Sequence, residues 1–159
     1  RLIYANLHKR LELIASSNVR PDEKLKGVIS EIEDFYDHNH AYLSIMLREA
    51  TEGGENLDDE TLRLLVPVRS AIFDIVHEGI KEGSFRNIPP LVAYYVILSP
   101  IMLFLVAAPL RSALSHLRVP TSSDLTPEVF VKHLEETIHA AIRRPSEVVV
   151  RPAERLALR

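Results

Sequence analysis

Residues 91–110 read LVAYYVILSPIMLFLVAAPL and contain no charged side chain. The uncharged run extends on both sides to the nearest arginines, Arg86 and Arg111. A helix needs about 20 apolar residues to cross the core of a bilayer, so the run has the length of a membrane span. A helix that is apolar all round is equally typical of the centre of a helical protein. The rest of the sequence has to decide between these two interpretations.

Three features of the surrounding sequence favour a protein interior over lipid. Pro100 and Pro109 interrupt the run, and each frees a backbone carbonyl that hydrocarbon cannot satisfy. The flanking arginines stand on both sides, so no positive-inside bias orients a span. The neighbouring segments are amphipathic, and their wide apolar faces need a covering helix. We therefore expect the run to be buried in protein, with a membrane-embedded helical fragment as an alternative.

The composition is that of an ordinary globular protein, with 159 residues of which 47% are apolar and 26% charged. This length is typical of one domain with a sizeable core. The net charge of −3 gives this chain no basic footprint for nucleic acid. The lack of cysteine excludes a disulfide scaffold and a thiolate zinc site, and it is compatible with the cytoplasmic location that we expect.

Helical spacing dominates the sequence, and the alternation typical of strands is almost absent. Proline and two acids at 21–23 suit the first turn of a long helix, and 126–128 (Thr-Pro-Glu) suit the start of the last one. Pro67 is expected to divide a helical segment that Gly83 ends. The sequence thus predicts about six helices: residues 2–16, residues 21–51, two segments divided by Pro67, a helix from 88 through Leu117, and a last helix after Thr126.

The uncharged helix and the last helix both carry apolar faces. A chain of this size rarely buries two such helices completely, so we expect them to form a four-helix bundle with the same helices of a second copy. Packing within one chain is the alternative. The residues expected at the dimer interface are Phe104, Leu105, Leu110, Leu114, Leu117, Val129, Phe130, Leu134, Ile138 and Ala141.

Three motifs in this order resemble a known family. They are Pro-Asp-Glu-Lys-Leu at 21–25, Arg-Glu-Ala at 48–50, and Glu-Gly-Ile-Lys-Glu-Gly-Ser-Phe-Arg at 78–86, followed by the apolar helix. The chain resembles the regulatory, ligand-sensing part of tetracycline-repressor-type (TetR family) transcriptional regulators. The resemblance implies an all-α, multi-helix orthogonal or up-down bundle that dimerises through a four-helix bundle.

The resemblance also implies a division of the chain. Residues 1–145 would form the ligand-binding and dimerisation domain, and residues 146–159 a C-terminal tail. Residues 1–17 would be the helix that links to an N-terminal helix-turn-helix domain, which this sequence lacks. Because a helical pattern is already running at Leu2, we expect the chain to be part of a longer protein. Its DNA operator would be bound by that N-terminal domain, most simply for repression.

In such regulators the effector pocket lies among the long helix, the helix before the glycine turn and the uncharged helix. Aromatic and methionine side chains there suit a small, largely hydrophobic effector. Two polar candidates have alternatives: Asn39 as a satisfied core amide, and Glu49 as a partner of Arg48, a backbone donor or solvent. The expected ligand-binding residues are Phe35, Asn39, Tyr42, Met46, Glu49, Phe73, Val76, His77, Tyr94, Tyr95, Leu98 and Met102.

Effector binding is expected to move the linking helix and so change the spacing of the DNA-binding domains. Gly79 and Gly83 are candidate hinges for this movement. Routine helix termination is the alternative, and we favour it for Gly83.

Seven histidines raise the alternative of a carboxylate and histidine metal site in a helical-bundle enzyme. Glu136 and His139 form a Glu-x-x-His, and Asp37 with His40 an Asp-x-x-His. His139 faces away from the apolar stripe of its helix, however, and His38 and His40 are about 200° apart on a helix. We predict no catalytic residue, no metal and no cofactor.

Overall fold

The computed structural model describes residues 2–115 and 125–144, and these ranges are all-α apart from one isolated backbone bridge. The predicted all-α fold class is confirmed. The expected interface residue Leu117 and the expected tail 146–159 lie outside the described ranges. In chain order, the helices are α1 (Leu2–Ser16), α2 (Pro21–His38), α3 (His40–Thr51), α4 (Asp59–Glu82), α5 (Pro90–Val106), α6 (Ala108–Ser115) and α7 (Pro127–Ile142).

Helix α2 lies at the centre of the fold and packs against α1, α3, α4, α5 and α7. Its buried residues recur at three- and four-residue spacing, which places them on one broad face. Val28, Ile29 and Ile32 on that face are almost completely buried. They join Ile72 of α4 and Ile97 of α5 in one continuous hydrophobic core. Helices α1 and α5 both pack against α2 and α4, and within the described residues they do not contact each other.

The predicted long helix 21–51 is wrong, because Asn39 divides it into α2 and α3. Asn39 has φ −129° and ψ 44°, and its side-chain Nδ2 donates to the Phe35 carbonyl at 2.7 Å. An asparagine amide that bonds locally to the backbone competes with the helical ladder. The Asn39 carbonyl then accepts from the amides of Tyr42 and Leu43, and so begins α3. The chain therefore changes direction at Asn39.

The predicted division at Pro67 is also wrong, since α4 runs unbroken from Asp59 to Glu82 with Pro67 inside it. A proline inside a helix removes one hydrogen bond, here to the Arg63 carbonyl, at a cost of about 3 kcal/mol. Val68 and Ile72, in the same and the next turn, are buried in the core. Tertiary packing of α4 against α1, α2 and α5 thus offsets the loss of that bond.

The uncharged helix does not continue to residue 117 as predicted, because α5 ends at Val106 and α6 leaves it at 52°. Pro109 has no backbone N–H to give to the Leu105 carbonyl, so it favours the first turn of a new helix. Among the described residues, no single helix is long and apolar enough to cross a membrane. The bent pair α5–α6 reaches that length and composition only when its two parts are counted together.

The turn after α4 explains the Gly-x-x-x-Gly-x-Phe motif. Gly83 has φ +78° and ends α4, as predicted. The chain then folds back so that Phe85 donates its amide to the Gly79 carbonyl at 2.9 Å and lays its buried ring on Gly79. Bonds from Arg86 N to Ile142 O (2.9 Å) and from Arg144 N to Ser84 O (3.1 Å) attach this turn to the end of α7.

A buried ion pair joins α2 to α4. The Lys24 ammonium lies 2.7 and 2.8 Å from the two carboxylate oxygens of Glu78. The Lys24 side chain is 5% exposed and that of Glu78 35%, so the lysine depends on this one carboxylate whereas the carboxylate also reaches water. The pair fixes how α2 sits on α4 at the end of the fold where the glycine turn lies.

Candidate functional site

An apolar cavity of about 490 Å³ lies where α2, α3, α4 and α5 meet, and we call it the α5 cavity. Helices α2, α3 and α4 contribute Tyr36, Met46, Leu47, Ala50 and Leu65. Helix α5 contributes Tyr94, Tyr95, Leu98, Ser99, Met102 and Leu103. This is the intersection that the family resemblance implies for the effector pocket, and its size is typical of a small-molecule site.

The lining of the α5 cavity carries no charge at neutral pH. Burial raises the pKa of Tyr94 to about 12, so its hydroxyl stays protonated. The hydroxyls of Tyr36, Tyr94, Tyr95 and Ser99 are the hydrogen-bonding groups among the lining side chains. A charged ligand here would lose hydration without gaining a counter-ion, so the cavity favours a neutral, largely apolar molecule.

A second cavity of about 570 Å³ opens between α1 and the α2–α3 break, and we call it the α1 cavity. It is lined by Tyr4, Phe35, His38, Asn39, His40, Ala41, Tyr42 and Ile45. Three of the expected ligand-binding residues (Phe35, Asn39 and Tyr42) line this cavity and not the first.

Aromatic rings separate the two cavities and connect them to α1. The ring of Tyr4 lies 4.9 Å from those of Phe35 and Tyr42, and Phe35 packs edge-on against Tyr36, which lines the α5 cavity. The Tyr4 hydroxyl is buried close to the phenols of Tyr36 and Tyr42. Burial raises the pKa values of Tyr4 and Tyr36 above their ordinary value, so both phenols are neutral.

The structure brings five of the expected ligand-binding residues together in the α5 cavity: Met46, Tyr94, Tyr95, Leu98 and Met102. Four others lie in neither cavity. Val76 is fully buried in the core, His77 is exposed, and Phe73 lies beneath the Arg69 guanidinium at 4.9 Å.

Glu49 is the fourth, and it is buried with partners of its own. Its carboxylate accepts from Asn56 Nδ2 at 3.2 and 3.4 Å and lies 3.8 Å from Arg48 Nη2. Asn39 is likewise satisfied through its bond to the Phe35 carbonyl. For both residues the structure therefore agrees with the alternative of an internally paired polar group.

Several lining residues were not expected from the sequence. Tyr36 follows Phe35 directly, and its position on the apolar face of the helix could have identified it as a lining residue. Leu65 was not predicted as a lining residue, because a helix break was expected at Pro67. Ser99 and Leu103 lie within the uncharged run, where no periodicity distinguishes a cavity-facing side.

The expected dimer-interface residues divide into two groups. Phe104, Leu105 and Ile138 are buried inside the single chain, so they leave little surface for a second copy, and their place at an interface stays a prediction. Phe104 stacks on the half-buried Phe130 at 3.9 Å, and the Arg111 guanidinium covers its ring and donates to its carbonyl. The other expected residues within the described ranges are exposed or half-buried: Leu110, Leu114, Val129, Leu134 and Ala141.

The most exposed apolar side chains of α5 are others. Leu91, Val92, Tyr95, Val96 and Leu103 are each between 41% and 67% exposed. The sequence could not identify them, because a helix that is apolar on every side has no periodicity that shows which side faces the core.

Several histidines of the described ranges lie beside a single carboxylate. His139 lies 3.6 Å from Asp22, His38 3.3 Å from Asp34, and His40 3.4 Å from Asp37. Among residues 2–115 and 125–144, no three side chains of the metal-ligating types converge.

The fold of this chain is shared with a protein of known structure. It is similar to the ketosteroid transcriptional regulator KstR2 of Mycobacterium tuberculosis, a TetR-family protein, with a TM-score of 0.68 and 19% sequence identity over 90% of this chain and 68% of that one. No family model and no curated protein matches the sequence. At this identity the likeness bears on the fold, and the chain therefore has the all-α fold of a TetR-family transcriptional regulator, as its sequence motifs predict.

Proposed function

We propose that this chain is the effector-binding and dimerisation domain, residues 1–145, of a TetR-like transcriptional regulator of the cytoplasm. Its effector is a small, neutral, largely hydrophobic molecule bound in the α5 cavity. Its DNA operator is bound, in the whole protein, by a helix-turn-helix domain that precedes residue 1, and effector binding relieves repression. The observation that carries the proposal is an uncharged cavity of about 490 Å³ at the expected helix intersection of a TetR-like fold.

The aromatic contacts support a route from the cavity to α1. Tyr36 lines the α5 cavity, its neighbour Phe35 packs against Tyr4, and Tyr4 belongs to the helix proposed to link to the DNA-binding domain. A ligand that displaces Tyr36 would change the packing of α1 on α2. A ligand shifts the balance between two conformations only if it binds one of them more tightly, and this change in packing would distinguish the free from the bound conformation.

The turn between α4 and α5 is the proposed hinge of this movement. Gly83 ends α4 there with a positive φ, which is also what routine helix termination requires. At Gly79 the closely packed Phe85 ring favours a packing role instead. Homodimerisation through α5, α6 and α7 remains part of the proposal, with the exposed apolar side chains of α5 in place of Phe104 and Leu105.

Effector binding is tested with the neutral fluorophore N-phenyl-1-naphthylamine and two matched variants. Ala50 and Ala41 are exposed alanines of the same helix α3, but Ala50 lines the α5 cavity and Ala41 the α1 cavity. Ala50→Trp should fill the first cavity and weaken dye binding about tenfold or more, which corresponds to about 1.4 kcal/mol. Ala41→Trp should leave the affinity unchanged. The opposite pattern, or no binding by the wild type, would contradict the assignment of the α5 cavity.

The regulator class is tested on the full-length protein by selecting bound fragments from random-sequence DNA. A two-fold symmetric dimer is expected to enrich a palindromic site with half-sites about one helical turn apart, or a multiple of it. Enrichment of no sequence above the input library would refute a sequence-specific regulator.

A further inference from the structure

Another cavity, of about 350 Å³, lies where the first turn of α2, the α4–α5 turn and the end of α7 meet, and we call it the turn cavity. It shares no lining residue with the α5 cavity or the α1 cavity. Its lining is charged, whereas that of the α5 cavity is not. Three arginines (Arg20, Arg143 and Arg144) and two carboxylates (Asp22 and Glu82) line it.

Backbone pairing holds two of these arginines beside the α4–α5 turn. The Arg86 amide donates to the Ile142 carbonyl at 2.9 Å, and the Arg144 amide donates to the Ser84 carbonyl at 3.1 Å. The end of α7 is therefore fixed along the turn, although the two arginine side chains that follow it are exposed. The Arg144 guanidinium lies over Gly83, with Nη1 3.7 Å from the position that a Cβ there would take.

The charges of the turn cavity are unequally paired. Arg20 Nη2 lies 2.6 Å from Oδ2 of Asp22, and His139 Nε2 lies 3.6 Å from the same oxygen. The Asp22 carboxylate is thus already engaged by two neighbours. Within residues 2–115 and 125–144, neither Arg143 nor Arg144 has a carboxylate oxygen within 4.0 Å. Two guanidinium groups therefore line the cavity without an ion pair to balance their charge.

This combination of charge and volume suits a phosphate group on a small molecule. A guanidinium is planar and presents paired N–H donors that match two oxygens of a phosphate. The arginines of the lining outnumber its carboxylates by three to two, in a chain whose net charge is −3. The volume exceeds that of a phosphate ion and lies at the lower end of the range for small-molecule sites.

We infer that the turn cavity binds a small organic phosphate, with its phosphate group held by the guanidinium groups of Arg143 and Arg144. Because the site is a cavity between three chain segments and not a projecting basic face, a soluble molecule fits it better than a bilayer surface. A bound phosphate would stabilise the junction of α2, α4 and α7 by mass action. The inference goes beyond the proposed function, since none of these residues lines the α5 cavity.

The test is isothermal titration calorimetry of the 159-residue chain with glycerol 3-phosphate, at about 0.15 M salt to screen distant charges. We expect saturable binding of one molecule per chain. Arg144→Gln should weaken binding about tenfold, because it removes charge-assisted hydrogen bonds to the phosphate. Arg63→Gln is the matched control and should leave the affinity unchanged, since Arg63 is exposed on α4 and lines none of the three cavities.

Glu82→Gln separates ligand binding from a structural role. Glu82 is exposed and lines the cavity, so its carboxylate repels a bound phosphate. Removing that charge should strengthen binding of glycerol 3-phosphate about threefold. A damaged fold would not bind more tightly, and circular dichroism checks folding for every variant. Glu55→Gln makes the same change in net charge at an exposed residue outside the cavity, and should have no effect.

Each contrary outcome overturns the inference in a distinct way. Absence of saturable binding by the wild type removes the site. Equal weakening by Arg144→Gln and Arg63→Gln, or equal strengthening by Glu82→Gln and Glu55→Gln, would show that net charge alone attracts the phosphate. Binding to vesicles that contain phosphatidic acid, but not to glycerol 3-phosphate, would overturn the soluble ligand. None of these results bears on dye binding in the α5 cavity, so the proposed function is judged separately.

Discussion

Replacing Gly79 by alanine should destabilise the fold, although alanine is the better helix former. A Cβ built on Gly79 would overlap Cδ2 of Phe85 and lie 2.5 and 2.6 Å from Cε2 and Cγ of that ring. Carbon atoms in contact are normally about 3.5–4.0 Å apart, so the ring must move by about 1 Å or more. Phe85 cannot move freely, because its amide is bonded to the Gly79 carbonyl and its neighbours are bonded to α7.

The expected magnitude follows from two opposing contributions. Alanine in place of glycine inside a helix gains about 1 kcal/mol. Overpacking a core costs about 1–3 kcal/mol, and complete loss of a buried phenylalanine about 3–5 kcal/mol. Since Phe85 is held on both sides, we expect the upper part of the overpacking range, and a net loss of about 2 kcal/mol in the free energy of unfolding.

Gly27→Ala is the matched control, because Gly27 also lies inside a helix with an ordinary φ. A Cβ there would have its nearest contact at 3.4 Å, with the side chain of Ile14. This substitution should therefore stabilise the protein, by up to about 1 kcal/mol. Urea denaturation followed by circular dichroism, at one fixed protein concentration, measures both variants.

A double variant isolates the contact itself. In the Phe85→Leu background, which removes the ring, Gly79→Ala should lose most of its destabilising effect. If Gly79→Ala instead stabilises the wild-type protein as much as Gly27→Ala does, the close packing of Phe85 on Gly79 is refuted. The role of Gly79 as a hinge would then be the better explanation of the motif.

Further predictions concern charge and backbone conformation. Glu78→Ala should lower the free energy of unfolding, measured by urea denaturation, by about 3–5 kcal/mol, because it leaves the buried Lys24 ammonium without its carboxylate. Lys24→Met should lower it clearly less, since the Glu78 carboxylate still reaches water. Equal losses would refute this asymmetry. Burial, and then the nearby carboxylates, raise the pKa of Glu33 above its ordinary 4.5. The folded state therefore holds this proton more tightly than the unfolded state does. As a result, the stability of the fold decreases as the pH rises from 4.5 through the folded pKa. The Tm of Glu33→Gln should therefore exceed that of the wild type increasingly over this window, and a constant difference would count against the raised pKa. Gly83→Ala should cost about 1–2 kcal/mol, because Gly83 has φ +78°, and an unchanged Tm would show that α4 ends in another way.

The parts of the fold that the sequence predicted well are those with local chemical signals. Thr126 accepts the Val129 amide at the start of α7, and Pro21 opens α2, since both residues act within one helical turn. Gly83 ends α4 because a positive φ is readily adopted only by glycine. The order of these elements was enough to indicate the TetR-like fold, which the structural comparison supports.

The structure brings some of the predicted site residues together and separates others, and the reason can be located. Met46 and Met102 meet in the α5 cavity because α3 and α5 cross where the resemblance implied. Phe35 and Tyr42 line the α1 cavity instead, beside the break at Asn39, and both pack against Tyr4 of α1. Local propensity does not predict this break with certainty, since an asparagine can also remain within a helix when its side chain finds another partner.

By itself, the sequence determined that the described part of this chain is helical, where several helices start and stop, and that residues 91–110 are an apolar segment without charge. Only the tertiary structure decided which side of that helix faces inward. Phe104 and Leu105 are covered by the chain itself, whereas Tyr95 and Leu103 remain exposed beside a cavity. The physical reason is that a helix apolar on all sides gains about as much from burying one face as another, so its neighbours, through shape and contact, set its orientation.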